Sequence, residues 1–309
     1  MYPARVTLYE VGPRDGLQNE SAQLPVEAKV RLIASLAAAG LERIEVGSFV
    51  RPDWIPQLAE TDLVAQRAPK VPGVRYSALV PNRTGLDRAI ASGLSEVAVF
   101  MSATESHNQK NTNKSVSESL QQFREIVPVA RKAGLTVRAY LSTVWGCPYE
   151  GAVDPHKALQ IGRQLRDLGC GELSLGDTIG VGNPLQTRRI LELFLKEFPP
   201  GQLALHLHDT HGTALANCLV GLEMGITIYD TSIGGTGGCP YAPGAAGNLA
   251  TEDLASMCAD MGIETGMIDL EKLIEAGALA QELIGHKLTG RRLQAALGRR
   301  TPGEARAAT

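Results

Sequence analysis

The sequence predicts an α/β fold, a (β/α)8 TIM barrel followed by an extra C-terminal helix. Three observations predict it. Eight short β-type runs recur along the 309 residues, and each is followed by a stretch with helical apolar spacing. Strands that alternate with helices pair in parallel, because every connection must cross over. The length suits a barrel, which commonly needs about 250 residues. An open, doubly wound sheet of the same strands is the alternative topology.

In chain order the β-type runs fall at 6–11, 43–48, 75–80, 96–101, 136–143, 172–177, 203–209 and 228–233. The helical stretches fall at 26–39, 53–66, 84–92, 116–133, 156–168, 184–197, 214–224 and 249–261. Several stop at glycine, as at Gly40 and Gly134, where a helix end calls for a left-handed residue. A further helix at 270–284 lies outside the eightfold pattern. Residues 1–290 read as one catalytic domain, and 291–309 as a flexible tail that ends rich in Arg, Ala and Gly.

Bulk properties narrow the function classes. The formal charge of −3 marks neither a nucleic-acid nor an anionic-membrane partner. No apolar run reaches the roughly 18 residues that span a bilayer. The first residues lead straight into a strand-type run, without a basic and apolar leader. The five cysteines are odd in number and far apart, which argues against a disulfide framework. A cytoplasmic location is expected.

In a parallel barrel, functional groups gather where the strands end at their C-terminal side. Five such places carry chemistry. After the first run comes Gly12-Pro13-Arg14-Asp15-Gly16, which also reads as a turn with an exposed ion pair. The seventh run ends in His206-Leu207-His208-Asp209. Strand residues two apart share a face, so both imidazoles would project into the barrel mouth as metal ligands, or else simply cap the core. After the eighth run a glycine-rich stretch, 234–248, carries Cys239 and ends in Asn248. Such a stretch suits a lid or a close backbone approach to a ligand. Asn248 reads equally well as a helix cap. Asp177 ends the sixth run, where a base or a ligand orienter could sit. Glu45 lies inside an otherwise apolar run and needs a partner, for which Arg14 is the natural candidate. Asp15, His206 and His208, with Asn248 as a further oxygen donor, form a set suited to Mg2+ or Mn2+, with Zn2+ as an alternative.

These strings resemble the 3-hydroxy-3-methylglutaryl-CoA lyases. The likeness is carried by 12–20, 174–182, 206–209 and above all the run Gly237-Gly238-Cys239-Pro240-Tyr241 through Gly247-Asn248 to Asp253, and it extends in order over about 6–285. The Arg14-Asp15 turn and the His-x-His pair are shared more widely, with isopropylmalate and citramalate synthases.

The resemblance implies a divalent metal on Asp15, His206, His208 and Asn248. It implies Arg14 near the thioester carbonyl and Cys239 as an acid/base thiol on a flexible loop. Glu45 and Asp177 match acidic positions in and around the site, and Gln18, Ser48 and Asn111 match positions that touch substrate or the metal shell. The implied reaction is retro-Claisen cleavage of 3-hydroxy-3-methylglutaryl-CoA to acetyl-CoA and acetoacetate, of the leucine-degradation type. The hydroxyl base is Asp15, His206 or Asp177. By analogy the chain is a homodimer that binds an acyl-CoA thioester.

Some positions depart from the family pattern. Thr236 stands where many relatives have a larger apolar residue, Gly234 where alanine is common, and His211 where tyrosine is frequent. A longer 3-hydroxy-3-alkylglutaryl-CoA is therefore an alternative substrate. An enzyme condensing acetyl-CoA with a 2-oxo acid is a second alternative, and a catalytically silent scaffold a third.

Overall fold

The computed structural model describes residues 2–237 and 247–300. Eight parallel strands close into one barrel in sequence order, the last pairing with the first. They are β1 (Thr7–Glu10), β2 (Arg43–Ser48), β3 (Arg75–Leu79), β4 (Glu96–Ser102), β5 (Thr136–Ser142), β6 (Glu172–Asp177), β7 (Leu203–Leu207) and β8 (Ile228–Thr231). Closure runs from Thr7 opposite Ile228 to Glu10 opposite Thr231, which excludes the open sheet.

The helices are α1 (Val26–Ala38), α2 (Thr61–Arg67), α3 (Arg83–Ala91), α4 (Glu105–Thr112), α5 (Val116–Lys132), α6 (Pro155–Asp167), α7 (Pro184–Phe194), α8 (Ala214–Glu223), α9 (Thr251–Asp260), α10 (Leu270–Ile284) and α11 (Arg291–Arg300). Each barrel helix turns an apolar stripe inward. In α1 this is Leu32, Ile33 and Leu36, spaced by one helical turn. The extra helix α10 packs on α1, beside the seam where the ring closes. No helix among the described residues is long and apolar enough to cross a membrane.

Three expectations needed correction. The helix expected at 53–66 begins only at Thr61, because Pro56 disfavours a helical backbone at Ile55 (φ −136°, ψ 82°) and only a short 3-10 turn, Pro56–Leu58, follows. The loop after β4 contains α4, which ends at Asn113 in a left-handed conformation (φ 56°). The stretch 291–309, expected as a flexible tail, is helical over Arg291–Arg300. Asp253 accepts the first amides of that helix, from Arg291 at 3.0 Å and Arg292 at 2.6 Å. Leu293 is fully buried against Gly277 of α10. Residues 301–309 lie outside the described residues.

The interior toward the N-terminal ends of the strands is ionic. Arg43 bridges Glu96 at 3.0 Å and Glu172 at 2.7 Å. Arg138 pairs with Glu172 and Asp230, and its guanidinium lies 4.0 Å from the Tyr9 ring centroid and 4.6 Å from that of Tyr140. Buried charges persist only when paired and hydrogen-bonded, and this network supplies both. Its upper end meets the site.

Candidate active site

The site begins with a wide turn. The Val11 carbonyl accepts the amides of Arg14 (3.0 Å), Asp15 (2.7 Å) and Gly16 (3.3 Å). This wide coil over Gly12–Gly16 sets Arg14 and Asp15 at the C-terminal end of β1. The turn was expected, but its ion pair is buried rather than exposed. Arg14 Nε donates to Glu45 Oε2 at 2.5 Å, and Nη1 pairs with Asp15. The guanidinium also lies over the Tyr140 ring, at 5.1 Å. Glu45 thus has the partner its place in an apolar strand demanded.

The two histidines do share a face. Their Nε2 atoms lie 3.3 Å apart, and Asp15 Oδ2 lies 3.7 Å from His206 Nε2 and 3.9 Å from that of His208. One ligating atom from each of the three residues falls within 4.8 Å of the others. Two imidazole nitrogens aimed at each other can both use their lone pairs only on a shared cation. The oxygen and imidazole donors present fit a divalent ion.

Asn248 is not a helix cap. The cap position of α9 is Ala250. Asn248 instead forms an antiparallel bridge with His208, and its Nδ2 donates to Asp15 Oδ2 at 2.9 Å. Its side-chain oxygen is available to the same ion if the amide turns over. Gly237 and Asn248 are joined by a backbone hydrogen bond of 3.4 Å, and Glu20 accepts the Gly237 amide at 3.0 Å. These contacts join Gly237 to Asn248 and Glu20. Cys239 itself lies outside the described residues.

Charge is arranged for ligation. Burial opposes ionisation of Asp15, but Arg14, His206, His208 and Asn248 outweigh it and hold the carboxyl well below the usual range. Burial, with His206 and Arg14 nearby, lowers His208 to about 4. Near neutral pH the site therefore offers a carboxylate and a neutral His208.

Arg14, Asp15, Gln18, Ser48, Asn111 and both histidines line one cavity of about 370 Å3. Asp177 is placed differently. Its oxygens accept the loop amides of Val181 (3.1 Å) and Gly182 (2.8 Å), and burial raises it to about 6. Glu45 sits beneath Arg14 rather than in the cavity lining.

The sequence reading missed Asp230, Arg138 and Tyr140. His206 Nδ1 lies 3.2 Å from Asp230 Oδ2, and Tyr140 donates to Glu45 at 3.2 Å while its ring stands edge-on to His206. The signal that exposed Glu45, a charge inside an apolar strand, was present at Arg138 and Asp230 as well.

A closed (β/α)8 barrel with a carboxylate, two imidazoles and a buried arginine converging at the C-terminal ends of its strands has the layout of an enzyme. The chain belongs to the HMGL-like family, which it matches over residues 5–280. It is 52% identical over 293 residues to a hydroxymethylglutaryl-CoA lyase of Bacillus subtilis, covering 95% of this chain and 98% of that one. It is 49% identical to the mitochondrial hydroxymethylglutaryl-CoA lyase of Bos taurus, covering 95% and 90%. A crystal structure of the Bacillus subtilis HMG-CoA lyase superposes with a TM-score of 0.94 at 51% identity, over 96% and 99% of the two chains. An HMG-CoA lyase from Acinetobacter baumannii, in complex with coenzyme A and 3-methylmalate, superposes at 0.90 with 37% identity, over 97% of each.

Proposed function

We infer that this protein is a carbon–carbon lyase that cleaves 3-hydroxy-3-methylglutaryl-CoA to acetyl-CoA and acetoacetate. The observation that carries this reading is the meeting of Arg14, Asp15, His206 and His208 at one cavity, in a chain half identical to named lyases of that reaction. Coenzyme A bound to the Acinetobacter relative supports an acyl-CoA substrate here.

Asp15, His206, His208 and Asn248 would hold a divalent cation, read as Mg2+ or Mn2+ with Zn2+ as the alternative. When bound, it supplies Lewis-acid polarisation of the tertiary hydroxyl. A base at the cavity wall takes the hydroxyl proton as the carbon–carbon bond breaks. The Asp177 carboxylate is already engaged by loop amides, and a His206 that ligates through Nε2 has no free lone pair, which favours Asp15 for that step. The electron pair of the broken bond passes to the thioester carbonyl, and the Arg14 guanidinium stabilises the resulting enolate oxygen. Cys239 then protonates the enolate carbon, and its glycine-rich loop excludes water meanwhile. Gln18, Ser48 and Asn111 orient the substrate. A cytoplasmic location, a place in leucine degradation and a homodimeric state complete the proposal.

The test is release of acetoacetate from 3-hydroxy-3-methylglutaryl-CoA by purified protein with Mg2+ or Mn2+, run beside longer 3-alkyl homologues. Highest kcat/KM on a longer homologue would reassign the substrate. No cleavage of any of them would overturn the lyase reading.

A further inference from the structure

We propose that Asp230 is a positioning residue that fixes the proton of His206 on Nδ1 and so keeps Nε2 bare toward the cavity. The inference rests on the metal reading above and extends it to a residue outside the cavity lining.

Asp230 lies on β8, fully buried, and its carboxylate gathers three neighbouring strands. Arg138 of β5 donates through Nη1 to Oδ2 at 3.1 Å and through Nη2 to Oδ1. Ser174 Oγ of β6 donates to Oδ2 at 2.8 Å. His206 Nδ1 of β7 is 3.2 Å from the same oxygen. With Arg138 held against it, Asp230 stays ionised and has no proton to give. His206 Nδ1 is therefore the donor, and in that tautomer the lone pair falls on Nε2. That nitrogen faces His208 Nε2 and Asp15 Oδ2. Carboxylates behind a ligating imidazole set tautomer and ring orientation in this way.

The two imidazoles are consequently unequal. His208 Nδ1 is buried and has no hydrogen-bond partner among the described residues. Without a cation, His208 can carry its proton on Nε2 and donate it to His206. To ligate, it must move that proton to Nδ1, where no described group accepts it, at the cost of an unpaired buried donor. One ligand is locked and the other is free to switch.

A purely structural account of Asp230 would make it only a counter-ion for Arg138. Yet Arg138 also pairs with Glu172 and donates to the Tyr140 hydroxyl at 2.8 Å. Asp230→Ala separates the two roles. It removes the acceptor at His206 Nδ1 while Arg138 keeps Glu172 and the Tyr140 hydroxyl as partners, so the proton moves onto Nε2, where His208 Nε2 can accept it, and points at the metal position.

The experiment uses the full chain labelled with 15N-histidine. In the metal-free parent, the imidazole 15N shifts should place the His206 proton on Nδ1. In Asp230→Ala it should sit on Nε2, and the Mn2+ dissociation constant, read by the EPR signal of free Mn2+, should rise about 10- to 100-fold. Glu172→Gln loosens the other side of Arg138 and should lower stability while leaving Mn2+ affinity within about twofold. A parent His206 protonated on Nε2 overturns the inference whether or not the variant folds. So does a folded Asp230→Ala that binds Mn2+ like the parent. A parent that binds no Mn2+ overturns the metal reading itself, and this inference with it.

Discussion

His206 and His208 turn their Nε2 atoms toward one another across 3.3 Å, with Asp15 Oδ2 within 3.9 Å of both. A cation held there would take a lone pair from each imidazole and an oxygen of the Asp15 carboxylate. A ligand that binds only the folded state stabilises it by mass action, about 2.7 kcal/mol at a hundredfold excess over its dissociation constant. Mn2+ should therefore raise the melting temperature by several degrees in a concentration-dependent way, and EDTA should reverse the shift. His208→Ala should abolish it. A melting temperature indifferent to Mn2+ would argue that the three side chains merely cap the barrel.

Arg14 is held by Glu45, by Asp15 and by the Tyr140 ring. A lysine cannot reproduce a planar fork that meets two carboxylates and stacks on a ring. Arg14→Lys should lower kcat by about 10²- to 10³-fold with a smaller change in KM, as expected for a group acting on charge that develops in the transition state. Wild-type kcat in that variant would remove Arg14 from the mechanism.

Asp177 accepts two amides of the loop that follows β6. Asparagine keeps one acceptor oxygen and presents an NH2 to the second amide. Leaving one buried donor unpaired costs about 1–3 kcal/mol. Asp177→Asn should lower the urea midpoint accordingly. If the residue is the hydroxyl base as well, kcat should collapse in addition; a near-normal kcat at a lowered midpoint leaves it a structural role alone.

Two buried carboxyls lie under the root of the glycine-rich loop. Burial raises Glu10 to about 7, although Thr251, Ile233 and Gly12 donate to it. Burial also raises Glu252 to about 8, and Glu10 adds to the shift. Folded-state values above those of the unfolded chain mean that the native state binds more protons between about pH 4.5 and 8. Stability should then fall as pH rises through this window, at most about 1.4 kcal/mol per pH unit for each carboxyl. Glu252→Gln keeps an acceptor for the Gly234 amide, which lies 3.0 Å from Glu252 Oε2. It should flatten the dependence and melt higher than the parent at pH 9. A parent that grows more stable from pH 6 to 9 would contradict this.

The strands were legible because buried parallel strands read as short apolar runs between turn signals. Other elements were not. Residues 105–112 are almost wholly polar and carry no amphipathic stripe, so α4 looked like loop. The α11 segment looked like tail because its order comes from Leu293 against α10 and from Asp253 at its first turn, neither visible locally. At the site, the spacing of His206 and His208 was enough, since period-two geometry is local. Asn248 was ambiguous, because the contact that assigns it is with Asp15, 233 residues away. Asp230 escaped notice because its meaning depends on three other strands meeting it.

The seam between β1 and β8 has a consequence for biosynthesis. During translation β1 leaves the ribosome first, yet its outer edge finds a partner only when β8 appears. Asp15 then waits for Asn248, and Glu10 for Ile233 and Thr251. A chain stalled before β8 would hold a half-built site and an unpaired strand edge, a known template for aggregation. Maturation is thus gated by the last quarter of the polypeptide, and demand for chaperone shelter should peak just before that stretch emerges.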